Sequence, residues 1–183
     1  MYSTHNEPVT FIRECEAILI PSGDPISLVE GTVGFITQTL GGSFTIMIEG
    51  NLFRLAGVNA DAIGKESIKA PKVEANASDA DLEKIVWNQM KTCYDPEIPI
   101  NIVDLGLIYS CSLSKNNAGN LDVSIDMTLT APGCGMGDIL AEDVKEKITI
   151  IPKINNVVVN LVFDPPWSQS MMSDVAKLEA GLL

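Results

Sequence analysis

The run Leu121-Asp-Val-Ser-Ile-Asp-Met-Thr-Leu alternates without a break: Leu121, Val123, Ile125, Met127 and Leu129 are apolar, while Asp122, Ser124, Asp126 and Thr128 are polar. Successive side chains of a strand point to opposite faces, so this pattern predicts a strand with one face in a core and the other in water. A glycine-rich loop, Ala131-Pro-Gly-Cys-Gly-Met-Gly, follows at once and opens a helix predicted from about Asp138 to Lys147. A half-buried strand needs a second layer over its apolar face, and a helix delivered directly after it can supply one.

The flanking segments extend this scheme. Ser78 is placed to cap a helix through Asp79-Ala-Asp-Leu-Glu-Lys-Ile-Val-Trp-Asn-Gln-Met, with acidic residues in its first turn and Leu82, Ile85, Val86 and Met90 on one face. Asp95-Pro-Glu-Ile-Pro cannot continue a helix, because its prolines favour an extended or turning loop. Leu105 to Leu113 reads as a strand, Asn116-Asn-Ala-Gly-Asn as a hairpin turn, and Val157 to Phe163 as a further strand that Asp164-Pro-Pro-Trp ends. The tail from Met171 to Ala180 reads as an amphipathic helix using Met171, Val175, Leu178 and Leu182. Together these predict a two-layer α/β sandwich with a three-stranded mixed sheet over residues 76–183.

Residues 1–75 read differently. Val33-Gly-Phe-Ile-Thr-Gln-Thr-Leu, Ser43-Phe-Thr-Ile-Met-Ile-Glu and Leu52-Phe-Arg-Leu are strand-like, with Gly41-Gly42 and Gly50-Asn51 as turns between them. They predict a small antiparallel β module, open or partly closed into a barrel. The polar stretch Ala70-Pro-Lys-Val-Glu-Ala-Asn-Ala-Ser has no apolar period and marks the boundary. The β module holds no constellation of titratable groups, so its expected role is structural or in docking.

Composition narrows the function. The 183 residues are 46% hydrophobic with mean hydropathy +0.21, ample for a packed core. They carry 24 Asp+Glu against 12 Lys+Arg, a net charge of −12, spread without a block of like charge. Binding a phosphate backbone requires clustered Lys and Arg, so neither nucleic acid nor an anionic membrane is an expected partner. The single histidine, His5, leaves no interior His for a catalytic triad or a His-rich metal site. The N-terminal residues show no basic and apolar export signal, which predicts a cytoplasmic protein. Its four cysteines, Cys15, Cys93, Cys111 and Cys134, are then reduced thiols, and none forms a C-x-x-C pair.

Position separates Cys134 from the other thiols. It lies between Gly133 and Gly135, after a strand and before a helix, where amides and the positive dipole end stabilise a thiolate. A thiolate is both a nucleophile and a metal ligand; the alternative is a small apolar plug in a tight turn. Asp95 and Glu97 form the second candidate, held by the prolines that flank Glu97. They can orient a cation, bind iron weakly through oxygen or act as a base, or be only a rigid acidic turn. Cys93 is either a second thiol for that loop or the last buried residue on its helix face. Cys111 fits a buried strand position, and Cys15 has no visible partner. Trp167 suits anchoring the last turn against the sheet better than docking, Met171 and Met172 suit the core, and Asp104 suits pinning a turn.

Several of these segments, taken in order, resemble a known family. Asp95-Pro-Glu-Ile-Pro-Ile-Asn-Ile-Val-Asp-Leu-Gly-Leu-Ile-Tyr, Met127-Thr-Leu-Thr-Ala-Pro-Gly-Cys-Gly-Met-Gly, Phe163-Asp-Pro-Pro-Trp and Met171-Met-Ser are similar to the small metal–sulfur (iron–sulfur) cluster assembly domain. SufT proteins, eukaryotic cytosolic iron–sulfur targeting factors and a phenylacetate oxygenase-associated subunit share that domain. Leu40-Gly-Gly-Ser-Phe-Thr and Gly50-Asn-Leu-Phe-Arg resemble the extra β module of the SufT branch. The resemblance implies a non-enzymatic auxiliary factor that matures iron–sulfur proteins. In it Cys134 is the reactive or metal-binding cysteine, Asp95 and Glu97 are the acidic loop, and Gly133, Gly135 and Thr130 support it. Gly135 stands where many relatives have proline, which bears on loop rigidity.

One good thiol is fewer than the four a cluster usually takes. A transient iron–sulfur cluster, bridged by a homodimer or completed by Cys93 or by a scaffold or client protein, is the expected cargo. The rival expectation is an adaptor that recruits iron–sulfur clients without binding a cluster. A thiol redox enzyme ranks last, for want of a resolving cysteine.

Overall fold

The structure, a computed structural model, describes residues 6–95, 98–117, 119–131 and 136–182. The chain divides into two compact units, Met1–Lys69 and Ala70–Leu183.

The first unit is a six-stranded antiparallel sheet. Its strands are β1 (Glu7–Thr10), β2 (Cys15–Ile20), β3 (Pro25–Leu28), β4 (Val33–Leu40), β5 (Ser43–Ile48) and β6 (Asn51–Leu55), in the order β1-β4-β5-β6-β2-β3. The β4–β5–β6 meander matches the three strand-like segments of the sequence. Phe44, Ile46 and Ile48 alternate into the core with Phe53 and Leu55, and a 3-10 helix over Gly57–Ile63 adds Ala60, Ala62 and Ile63. The short strands β1 to β3 lack a sustained period and take their place through pairing with β4 and β6.

The second unit is a two-layer α/β sandwich. Helix α1 (Asp79–Met90) begins in a capping box, with the Ser78 side chain accepting from the Asp81 amide and the Asp81 carboxylate accepting from the Ser78 amide. Strands β7 (Ile108–Lys115) and β8 (Leu121–Met127) form a hairpin, α2 (Gly137–Thr149) crosses over, and β9 (Ile154–Leu161) pairs parallel to β8. The sheet is therefore mixed, ordered β7-β8-β9. Leu121, Val123, Ile125 and Met127 bury one face of β8 against Val86 and Met90 of α1 and Val144 and Ile148 of α2. Their polar neighbours line the other face, where Asp126 accepts from Asn160 and Ser110. Those two bonds favour the charged form and hold its carboxyl below the usual 3.8.

Three boundaries differ from the sequence reading. The strand expected from Leu105 begins at Ile108, because Leu105 and Gly106 belong to a turn. There Asn101 donates to the Asp104 carboxylate and accepts from its amide, and Gly106 takes φ +72°. The last strand starts at Ile154 rather than Val157. The C-terminal helix α3 spans only Asp174–Glu179, and the stripe expected in the core points outward: Val175, Leu178 and Leu182 are 60, 67 and 47% exposed. Ser173 helps to set this phase. Its side chain caps α3 at the Ala176 amide while its own amide donates to Asp104 O, so Met172 and Ala176 face inward. No helix among the described residues is long and apolar enough to cross a membrane.

Candidate functional site

Of the candidate residues, Cys93, Asp95 and Thr130 are described, and they lie just beyond the ends of α1 and β8. After Met90 the chain turns through Thr92 and Cys93, whose amide donates to Met90 O. The carbonyl of Cys93 accepts from the Ile102 amide at 3.0 Å, and its side chain is fully buried, with Sγ 3.9 Å from Gln89 O. Of the two readings of Cys93, the buried end of the α1 face describes its position in the structure.

Asp95 is the hub of the next loop. Its amide donates to Ile100 O at 3.2 Å, and its Oδ1 accepts from the Ile98 amide at 2.8 Å. Its Oδ2 accepts from Thr130 Oγ1 at 3.2 Å. A carboxylate that accepts from its own loop's backbone two or three residues on closes that loop as a rigid turn. The Thr130 bond then ties the turn to the segment between β8 and α2. Asp95 and Thr130, singled out in separate motifs, are thus direct partners, and Asp95 is buried.

The α2 side is equally constrained. Its first residue, Gly137, sits against the end of β8: a Cβ there would lie 2.5 Å from Leu129 Cδ1. Met136 makes no side-chain cap to the first turn of α2, where a helix N-terminus ordinarily favours an electron-rich group. Glu97, Gly133, Cys134 and Gly135 lie outside the described residues. The chain places Cys134 four residues after Thr130 and three before Gly137.

Two features of this region have no motif. Lys147, buried in the last turn of α2, donates to Thr92 O at 2.6 Å and pairs with buried Asp143 at 3.3 Å. It thereby holds the carbonyl immediately before Cys93. The only sequence signal is the i,i+4 spacing of Asp143 and Lys147, which usually marks a solvated pair. The hydroxyl of Thr128, beside the end of β8, is buried and has no hydrogen-bond partner among the described residues. Elsewhere, Cys111 faces the helix layer on β7, half-buried, and burial together with Glu83 pushes its thiol up to about 11. Burial also raises Cys15, in the first unit. Among the described residues no three metal-binding side chains cluster.

Comparison with known proteins places this region. The model of the iron-sulfur cluster assembly protein family matches residues 83–161, which include Cys93, Asp95, Glu97, Thr130 and Cys134. An "Fe-S protein maturation auxiliary factor" from Porphyromonas gingivalis is 41% identical over 101 residues, 55% of this chain and 92% of that protein. The chain belongs to the iron–sulfur cluster assembly family. A second member, "Fe-S protein maturation auxiliary factor SufT" from Staphylococcus aureus, is 41% identical over 88 residues, 48% of this chain and 96% of that protein. A crystal structure of a domain of unknown function from Bacillus anthracis is 34% identical with a TM-score of 0.49, covering 57% of this chain and 95% of that one. The family match lies within the second unit and leaves residues 1–82 outside it.

Proposed function

We propose that this chain is an auxiliary maturation factor that passes iron–sulfur clusters to client proteins, working by ligand exchange rather than as an enzyme. The observation that carries the reading is the Asp95–Thr130 bond, which within the family match joins the Asp95 loop to the segment that leads into Cys134 in sequence. The cluster is cargo. The Cys134 thiolate takes the place of one scaffold thiolate on an iron, and the displaced scaffold thiolate leaves as the free anion, with no net proton transfer and no change of oxidation state. A place in sequence three residues before the first residue of α2 suits an anionic sulfur.

Cys134 is a single ligand where four are usual, and Cys93 is fully buried. The remaining ligands therefore come from the scaffold and then the client, so the cluster is held only in transit. Glu97 and the rigid Asp95 turn orient the donor or acceptor protein. Reduced thiols suit work in the cytoplasm.

The test is Cys134→Ser in cells lacking the native protein, read as activity of a cluster-dependent client, beside anaerobic reconstitution followed by visible absorption. Loss of activation with loss of thiolate-to-iron absorption supports the reading; full activation by the serine variant overturns it. A second reading, an adaptor that recruits clients without holding a cluster, is favoured by the separate sheet of the first unit outside the family match. It expects the serine variant to work normally.

A further inference from the structure

Of the seven methionines, Met90, Met127 and Met172 are buried, Met47, Met136 and Met171 are partly exposed, and Met1 lies outside the described residues. Met171 has a hydroxyl at its sulfur: Tyr109 Oη stands 3.7 Å from Sδ. That hydroxyl carries one proton and donates it to Pro165 O at 2.6 Å. The carbonyl and the sulfur thus share a single donor, and the thioether, a weak acceptor, has the lesser claim.

The shared donor holds down a strap. Residues 163–173 leave β9 and pass along β7 and the turn before it. Tyr109 of β7 holds Pro165 O, Trp167 Nε1 donates to Leu105 O at 2.8 Å, and the Ser173 amide donates to Asp104 O at 2.8 Å. Upstream, the Val162 amide donates to Met127 O at 2.8 Å. Among the described residues, the Tyr109 bond is the hydrogen bond that secures the stretch between Val162 and Trp167. Phe163, Asp164, Pro165 and Pro166 in that stretch are all exposed.

We propose that Met171 is a site of reversible oxidation by hydrogen peroxide, and that its sulfoxide draws the Tyr109 hydroxyl from Pro165 O and frees the stretch between Val162 and Trp167. The sulfur attacks one oxygen of the peroxide. The S–O bond forms as the O–O bond breaks, and the other oxygen takes the remaining peroxide proton and leaves as water. Sulfur gives up two electrons and the peroxide receives them. Tyr109 Oη, already beside the sulfur, is placed to donate to the departing oxygen and is not consumed.

The product is polar, and a sulfoxide oxygen accepts more strongly than the thioether it replaces. The hydroxyl then serves Met171 at the expense of Pro165. Because Pro165 is exposed, water replaces the phenol at its carbonyl and the exchange is inexpensive. Val162 and Trp167 keep their own bonds, so the oxidised protein stays folded and only the stretch between them loosens. Methionine sulfoxide reductases restore the thioether, which makes the change reversible. None of these steps depends on the role given to Cys134.

The test uses the full chain in a Cys134→Ser background, so that the thiol there does not consume the oxidant. After brief exposure to hydrogen peroxide, peptide mass spectrometry should find the added oxygen at Met171 at least about threefold sooner than at Met47 or Met136. That preference should disappear in Tyr109→Phe. Chymotrypsin cleavage after Phe163 is expected to rise at least about fivefold in the oxidised protein and to fall back after treatment with the methionine sulfoxide reductase pair. Met171→Leu cannot form a sulfoxide and should be cut at the slow rate with or without peroxide. Tyr109→Phe lacks the bond to Pro165 and should be cut at the fast rate before any oxidation. Oxidation of Met171 no faster than of Met47 and Met136, cleavage unchanged once Met171 is oxidised, slow cleavage of Tyr109→Phe, or an equal rise in Met171→Leu overturns the proposal.

Discussion

Thr130 Oγ1 donates a hydrogen bond to Asp95 Oδ2 at 3.2 Å, joining loops 35 residues apart in sequence. The bond ties the segment that leaves β8, four residues before Cys134 in sequence, to Asp95 beyond the end of α1. Thr130→Val keeps the shape and removes the donor. Losing a donor to a buried carboxylate is expected to cost about 1–3 kcal/mol in urea unfolding, and client activation should fall with it. Thr130→Ser retains the hydroxyl and should recover both. Equal activity in the valine and serine variants means the bond does not matter to the site.

Lys147 and Asp143 give a second handle, away from the thiol. Both are buried, and Lys147 also holds Thr92 O. Lys147→Met leaves a buried carboxylate without its cation and is expected to destabilise the protein by about 3–5 kcal/mol. Adding Asp143→Leu removes the buried negative charge as well and should return most of that loss. The double variant still lacks the donor to Thr92, so a residual deficit of about 1 kcal/mol is expected. Denaturant midpoints of the two single variants and the double variant measure the cycle.

The four thiols are expected to react very unequally. Cys15 and Cys93 are buried, and Cys111 holds its proton up to about 11. Only thiolates alkylate readily, so brief iodoacetamide treatment at neutral pH, read by peptide mass spectrometry, should mark Cys134 alone. The same shift has a sign in stability. A thiol whose value rises from 9.0 to about 11 on folding contributes fully below pH 9, and that contribution is lost as pH climbs toward 11. Cys111→Ala should therefore lose less stability than wild type across that alkaline window. An identical decline in both proteins rules out Cys111 as its source.

How much of this was legible depended on range. β8 was readable because its alternation is local and complete, and α1 because Ser78 and Asp81 form a cap within one turn. The phase of α3 was not. Its apolar residues have helical spacing, but tertiary contacts of the segment before it, among them the Ser173 amide to Asp104 O, decide that Met172 and Ala176 are the buried ones. Asp95 and Thr130 stood out separately in the sequence, yet their bond depends on a fold that brings distant loops together. Lys147 was hidden for a different reason. A lysine in a last helical turn is normally solvated, and only the carbonyl of Thr92 and the carboxylate of Asp143 make its burial tolerable.

The turn before β7 carries the last prediction. Gly106 has φ +72°, and a Cβ there would meet the Met171 carbonyl oxygen at 2.3 Å and its carbon at 2.8 Å. Backbone cannot give way as a flexible side chain can. The same turn holds the C-terminal segment at two more points, Trp167 Nε1 to Leu105 O and Ser173 N to Asp104 O, each 2.8 Å. Gly106→Ala therefore combines a left-handed strain with a clash that must push the Met171 strap off the turn, and is expected to cost about 2–4 kcal/mol. Gly64→Ala is the control, since φ is +71° there and nothing lies within 4 Å of the added Cβ. It carries the strain alone, about 1 kcal/mol. Urea unfolding measures the difference, and limited proteolysis should cut the segment after Phe163 in the Gly106 variant first. Equal losses in the two alanine variants mean that Met171 yields and the strap does not depend on Gly106.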